Sequence, residues 1–211
     1  NSETGVCIMS MEEGLDTGPV INQESIKINQ RDNLETLTKK LSNLSSKLLI
    51  KSIEEIELTK GSNMNQKLTE LQAISQSKLG NETSYARPVN KGDYIIKWKS
   101  NSREIYNLVR GLYPNAYTIF KGKRIKITEI NILSTTSLDT YKESTNCQSK
   151  VSHRNKEPGT IIDISKEKGV ILITNNGQVG IKSGQLEGKN LTDAYTLSLQ
   201  AKLKINDRLG K

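Results

Sequence analysis

The 211-residue sequence is poor in the residues that build metal and disulfide sites. It has one histidine, His153, and two cysteines, Cys7 and Cys147, with no Cys-x-x-Cys spacing. A zinc site needs about four converging Cys, His or carboxylate ligands, so no metal is expected. Two distant cysteines make no disulfide framework and point to a reducing, cytoplasmic compartment. Aromatic residues make up 4% and hydrophobic residues 34% of the chain, below the roughly 45–50% apolar share of an average domain. No apolar run nears the ~20 residues of a membrane helix, and no secretory leader pattern opens the sequence. The expectation is a protein without a membrane partner, and a monomer.

Positive charge is what the chain does have, unevenly placed. Its 31 Lys+Arg against 23 Asp+Glu give a net +8. Residues 1–87 hold 10 basic and 12 acidic side chains, a net of −2, whereas residues 88–211 hold 21 and 11, a net of +10. An acidic partner is therefore expected on the C-terminal portion.

The patterning divides the chain near the same place. Gly5–Met11 and Val20–Ile28 are strand-like, separated by a loop with two glycines and a proline. Asp32 and Glu35 offer a capping pair. Leu34, Leu37, Leu41, Leu44 and Leu48 then recur at steps of three and four, predicting an amphipathic helix over roughly 33–59 packed on a sheet. Residues 60–92 are polar and aperiodic, as in a connector. Beyond them Tyr94–Trp98 is strand-like, and Ile105, Leu108, Val109 and Leu112 line one face of a short helix. Five short strands follow, Ala116–Lys121, Arg124–Leu133, Gly159–Ser165, Gly169–Thr174 and Val179–Ser183. Their turns include Asn175-Asn-Gly177, a strong hairpin signal. A small barrel of the oligonucleotide-binding kind and a plain antiparallel sheet both fit. Residues 134–157 are expected to form a long exposed loop.

Gly14-Leu-Asp-Thr-Gly18 is the sharpest motif. A carboxylate between two glycines just past a strand suits a loop that substrate approaches closely. An aspartate capping its own turn fits the same letters. An aspartic protease would need a second such Asp, and Pro19 follows where those enzymes use small residues. Ser183-Gly-Gln-Leu-Glu-Gly-Lys-Asn190 fails the phosphate-loop spacing and ends in Asn. In the basic half, Lys121-Gly-Lys-Arg-Ile-Lys126 surrounds a tight turn, with Arg124 and Lys126 on one strand face and Ile125 and Ile127 on the other. Such charge suits sequence-tolerant phosphate contacts, or a strand edge protected by Lys.

Taken together these pieces resemble the methionyl-tRNA formyltransferase family. The resemblance rests first on Glu3-Thr-Gly-Val-Cys-Ile-Met-Ser-Met-Glu-Glu-Gly-Leu-Asp-Thr-Gly18. It continues through Thr83-Ser-Tyr-Ala86, Trp98, Val109-Arg-Gly-Leu-Tyr-Pro114, Gly122-Lys-Arg-Ile-Lys126, Pro158-Gly-Thr-Ile161, Leu186-Glu-Gly-Lys189 and Arg208-Leu-Gly210, spanning nearly the whole chain. Departures are Pro88 at a position that is usually Lys, Lys97 where the family has Asp, and a shortened turn over Tyr113–Tyr117.

The resemblance implies a doubly wound α/β formyltransferase domain, of which residues 1–60 would be the C-terminal part. A connector over 61–93 would lead to a mostly-β barrel over 94–211 that binds tRNA. It implies transfer of the formyl group of 10-formyltetrahydrofolate to the α-amine of initiator methionyl-tRNA. In the family an Asn, a His and an Asp surround the reacting carbon. Asp16 matches the Asp, with Gly14, Leu15, Thr17 and Gly18 forming its substrate loop. The Asn and His belong to an upstream stretch that nothing here matches. The chain is thus expected to be part of a longer enzyme and inactive alone. A carboxylate is a weak base at neutral pH, so Asp16 is expected to orient the His and the amine. Arg87, Lys97, Arg110, Lys121, Lys123, Arg124 and Lys126 are the expected tRNA contacts. Two alternatives remain: a folate-dependent formyltransferase acting on an amino sugar nucleotide, and a non-catalytic RNA-binding module.

Overall fold

The structure is a computed structural model that describes residues 1–79, 84–134 and 156–210. The chain divides into two compact units, Asn1–Arg87 and Pro88–Lys211.

In the first unit, β1 (Glu3–Met9) pairs antiparallel with β2 (Val20–Lys27), Cys7 opposite Gln23, with an irregularity between Ile8 and Met9. Helix α1 (Leu34–Leu58) packs on both strands. The predicted stripe is the packed one: Leu48 is buried and Leu37, Leu41 and Leu44 are half-buried, although Leu34 is exposed. The stripe continues into polar residues. Asn22 of β2 donates to Ser52 Oγ (3.0 Å) and Glu55 Oε2 (2.6 Å), tying strand to helix.

The helix start differs from the expected capping pair by one residue. Asn33 accepts from the Thr36 N–H (2.9 Å), and Thr36 Oγ1 accepts from the Asn33 N–H (2.9 Å). Asp32 is drawn elsewhere. It is buried, accepts from the Asn29 N–H (2.8 Å) and is ion-paired with Lys40. A charged partner holds a carboxylate more strongly than a neutral N–H, which leaves the cap to Asn33.

The stretch expected as a bare connector carries structure. Helix α2 (Met64–Glu70) is capped by Asn63, and Ile74 bridges antiparallel to Val20 through two 2.8 Å backbone hydrogen bonds. Its order comes from polar and backbone hydrogen bonds rather than an apolar stripe, so hydrophobic periodicity does not register it.

In the second unit, a 3₁₀ turn (Lys91–Tyr94) precedes α3 (Ser102–Gly111). Six strands then share one sheet: β3 (Tyr117–Phe120), β4 (Lys123–Ser134), β5 (Ile161–Ser165), β6 (Gly169–Thr174), β7 (Gly177–Leu186) and β8 (Thr192–Asp193). The order is β3-β4-β7-β6-β5 with β8 on β7, every pair antiparallel. The Asn175-Asn176 turn closes the β6–β7 hairpin, Thr174 opposite Gly177. Tyr94–Trp98 is not a regular strand, since only Ile95 bridges, to Tyr117. Helix α4 (Ala194–Ala201), capped by Asp193, packs against β7 and β6. The core joins Trp98, Ile105, Val109, Ile125, Ile127, Val170, Leu172, Val179, Ile181 and Leu197.

The strands do not close into a barrel. Among the described residues β3 and β5 are the ends of an open sheet. The irregular C-terminal segment lies against both ends instead. Leu209 N–H donates to Gly159 O (3.0 Å), Asn206 N–H to Ile161 O (2.9 Å) and Gly210 N–H to Ile119 O (2.9 Å). Asn206 (φ 74°) and Gly210 (φ 83°) lie in the left-handed region, which keeps this segment from running on as a strand. The long loop expected over 134–157, with Cys147 and His153, falls mostly on residues 135–155, outside the described residues.

Candidate active-site loop and basic face

The Asp16 loop spans residues 10–19 between β1 and β2. Its neck is closed by the Ser10 N–H donating to Pro19 O at 3.0 Å. Gly18 is buried there, and a Cβ would collide with the Ser10 carbonyl. Gly14 faces the Thr17 side chain, 2.5 Å from where its own Cβ would sit. Both glycines therefore serve the closure of the loop on itself. Asp16 has a φ of 53°, a left-handed conformation that Asp adopts more readily than most residues. Its carboxylate is exposed and accepts no hydrogen bond from the described residues, so it does not cap its own turn. Leu15 and Met11 are each 91% exposed, leaving two large apolar side chains of the loop open to solvent.

One residue with no signal in the sequence completes this loop. Gln76 Nε2 donates to Asp16 O (2.7 Å) and Gly18 O (2.8 Å) and lies 3.5 Å from Met9 Sδ. The Ile74–Val20 bridge sets this placement, since an antiparallel register with 74 opposite 20 brings 76 beside 18.

The basic residues are partly gathered. On β4, Ile125 and Ile127 point into the core while Arg124 and Lys126 point outward, as the alternation predicts. Arg124 lies over the Tyr117 ring of β3, 5.6 Å from its centroid, and Lys126 Nζ donates to Asn115 Oδ1 at 3.1 Å. Lys121 and Lys123 flank the turn between these strands, with Lys121 over Phe120 at 4.8 Å. Lys97 sits across β3 from them. Its segment pairs with β3 at Tyr117, and it alternates outward between buried Ile96 and Trp98. There it lines a groove of about 370 Å³ with Lys99, Ile119 and Arg208. The Arg208 charge is answered by Glu157.

Arg110 stands on α3 instead. It donates to Asn107 Oδ1 (3.0 Å) and lies over the Tyr106 ring, which Arg103 also approaches, each at 5.8 Å. Arg87 belongs to the first unit, where it is exposed. Lys99 and Arg103 escape a reading of the sequence because isolated basic residues carry no spacing signal. Among the described residues, no group of three or more His, Cys, Asp or Glu could hold a metal ion. No helix among the described residues is long and apolar enough to cross a membrane.

Residues 88–200 match the C-terminal domain of formyl transferases, and residues 1–53 match the formyl transferase domain itself. The chain belongs to the formyl transferase family. The Asp16 loop lies in the formyl transferase match, and the Lys97–Lys126 face lies in the C-terminal match. A methionyl-tRNA formyltransferase of Prochlorococcus marinus strain NATL2A is 51% identical over 210 residues, covering 100% of this chain and 62% of the relative. Its counterpart in strain MIT 9515 is 42% identical, covering 98% and 60%. The chain thus spans about three fifths of the length of these relatives.

Among solved structures, HypX from Aquifex aeolicus in complex with tetrahydrofolic acid aligns with a TM-score of 0.63 at 11% identity, over 97% of this chain and 31% of that one. An N-formyltransferase from Helicobacter canadensis, in complex with folinic acid and dTDP-3-aminofucose, aligns with a TM-score of 0.51 at 17% identity, over 85% and 55%. These likenesses show a shared fold.

Proposed function

We propose that this chain works within a methionyl-tRNA formyltransferase, moving the formyl group of 10-formyltetrahydrofolate onto the α-amine of initiator methionyl-tRNA in the cytoplasm. The observation that carries the reading is Asp16. Its backbone is held by a closed loop while its carboxylate stays exposed and accepts no hydrogen bond from the described residues. A formyl transfer needs such a group. The substrate ammonium must lose its proton before the amine attacks the formyl carbon. The tetrahedral oxyanion then collapses as the bond to the folate nitrogen breaks and that nitrogen takes up a proton. Asp16 orients the imidazole that moves these protons.

In this reading residues 1–60 are the C-terminal part of the catalytic domain, 61–93 the connector, and 94–211 an oligonucleotide-binding-like module for tRNA. Lys97, Arg110, Lys121, Lys123, Arg124 and Lys126 meet phosphates, and Arg87 of the first unit is a further contact. The net +10 of residues 88–211 favours tRNA over an amino sugar nucleotide, which needs no extended basic surface.

The test is a labelled-formyl assay with an intact formyltransferase carrying this chain, offered methionyl-tRNA and an amino sugar nucleotide side by side. Label on the tRNA is expected. Label on the sugar alone, or on neither acceptor, would overturn the reading.

A further inference from the structure

We infer that Gln76 is a positioning residue for Asp16, a clamp that fixes the direction in which the carboxylate is presented. The inference rests on the proposed role of Asp16.

Four observations converge on it. First, one amide nitrogen uses both of its hydrogens on the same loop, to Asp16 O at 2.7 Å and Gly18 O at 2.8 Å. Second, the held residue is the one with an unfavourable backbone: Asp16 at φ 53°. A non-glycine residue in such a conformation persists only where its surroundings over-determine it. A bond to the Asp16 carbonyl fixes the plane of the 16–17 peptide, and a bond to the Gly18 carbonyl fixes the plane two residues on. Between them they set where the Asp16 Cα–Cβ bond points. Third, the clamp is itself anchored. Ile74, two residues earlier, is locked to Val20 by a reciprocal pair of 2.8 Å backbone bonds, and Gln76 opens a 3₁₀ turn whose own bonds hold it. Fourth, a backbone bond from Ser10 to Pro19 closes the loop's neck, whereas among the described residues Gln76 alone hydrogen-bonds to Asp16 nearer the tip. Without Gln76 the neck remains closed while the tip is released.

That separation gives the clamp a distinct signature. A carboxylate displaced by about an ångström from a reacting centre can lower a rate on the order of a hundredfold, whereas binding of either substrate elsewhere in the site is untouched. Gln76→Met keeps the side-chain length and removes both donors. In an intact formyltransferase carrying this chain, Q76M is expected to lower kcat about ten- to a hundredfold. KM for both substrates should change less than about threefold, since the interaction removed acts in the transition state. D16N should lower kcat at least as far, and Q76M/D16N no further, because two residues acting as one unit are not additive.

In the 211-residue chain, amide hydrogen exchange over residues 14–18 should speed up in Q76M while exchange in α1 stays at its wild-type rate. If D16N lowers kcat and Q76M does not, the clamp is wrong and the role of Asp16 stands. If D16N leaves kcat unchanged, that role fails and the clamp fails with it. Faster exchange throughout α1 in Q76M would mean that Gln76 holds the whole unit rather than the loop, which also overturns the inference.

Discussion

Lys40 Nζ lies 2.7 Å from Asp32 Oδ1, joining the residue just before the α1 cap to the second turn of the helix. Together with the Asn29 N–H, this ammonium holds the Asp32 carboxyl below its ordinary value. Because the folded value is depressed, the pair stabilises the unit fully above the unfolded-chain value near ~3.9. The contribution disappears as pH falls through the folded value. Asp32→Asn should therefore lower the thermal midpoint at neutral pH, and wild type and variant should converge as pH falls below about 4. Circular dichroism of the helical signal reads this. A gap that persists undiminished into acid would contradict it.

Trp98, the single tryptophan, gives the second unit its own probe. It is buried, and its Nε1–H donates to Thr118 Oγ1 at 3.0 Å. Thr118→Val keeps the shape and strands the donor, which should cost about 1–3 kcal/mol. Denaturant titration followed by tryptophan fluorescence measures it.

Gly18→Ala should destabilise the first unit by about 1–3 kcal/mol, because the added methyl meets the Ser10 carbonyl in a packed neck. The helical signal in denaturant reads the change, and the fluorescence of Trp98 should not follow it.

The sequence spoke most clearly where a period or a turn chemistry acts locally. The leucines of α1, the Ile125/Ile127 alternation and the Asn175-Asn-Gly177 turn each name their own structure. Asp16 stood out because two glycines around a carboxylate are rare without cause. What stayed hidden depends on residues far apart in the chain. Gln76 reaches Asp16 across sixty positions, Gly210 meets Ile119 across ninety-one, and neither partner has a pattern of its own. The eight residues of α4 are too few for a period to show. The five expected strands are all in the sheet and only the two-residue β8 was missed, but strand count does not say whether the last edges meet. Residues 206–210 stand between them.

The basic face predicts a salt signature. Log affinity for a nucleic acid falls with log salt, and neutralising one phosphate-binding side chain makes that slope shallower by about one. Alanine at Lys121, Lys123, Arg124 or Lys126 should therefore weaken tRNA binding, reduce the slope by about one each, and leave the KM for the formyl donor unchanged. An unaltered slope in all four would place the tRNA elsewhere.

Asp16 is proposed to serve formyl transfer to methionyl-tRNA. The most direct test of that role is the single-turnover rate of label transfer from 10-formyltetrahydrofolate in an intact formyltransferase carrying Asp16→Asn, with both substrates saturating. A fall on the order of a hundredfold or more is expected, with methionyl-tRNA still bound. Transfer at the wild-type rate would contradict it.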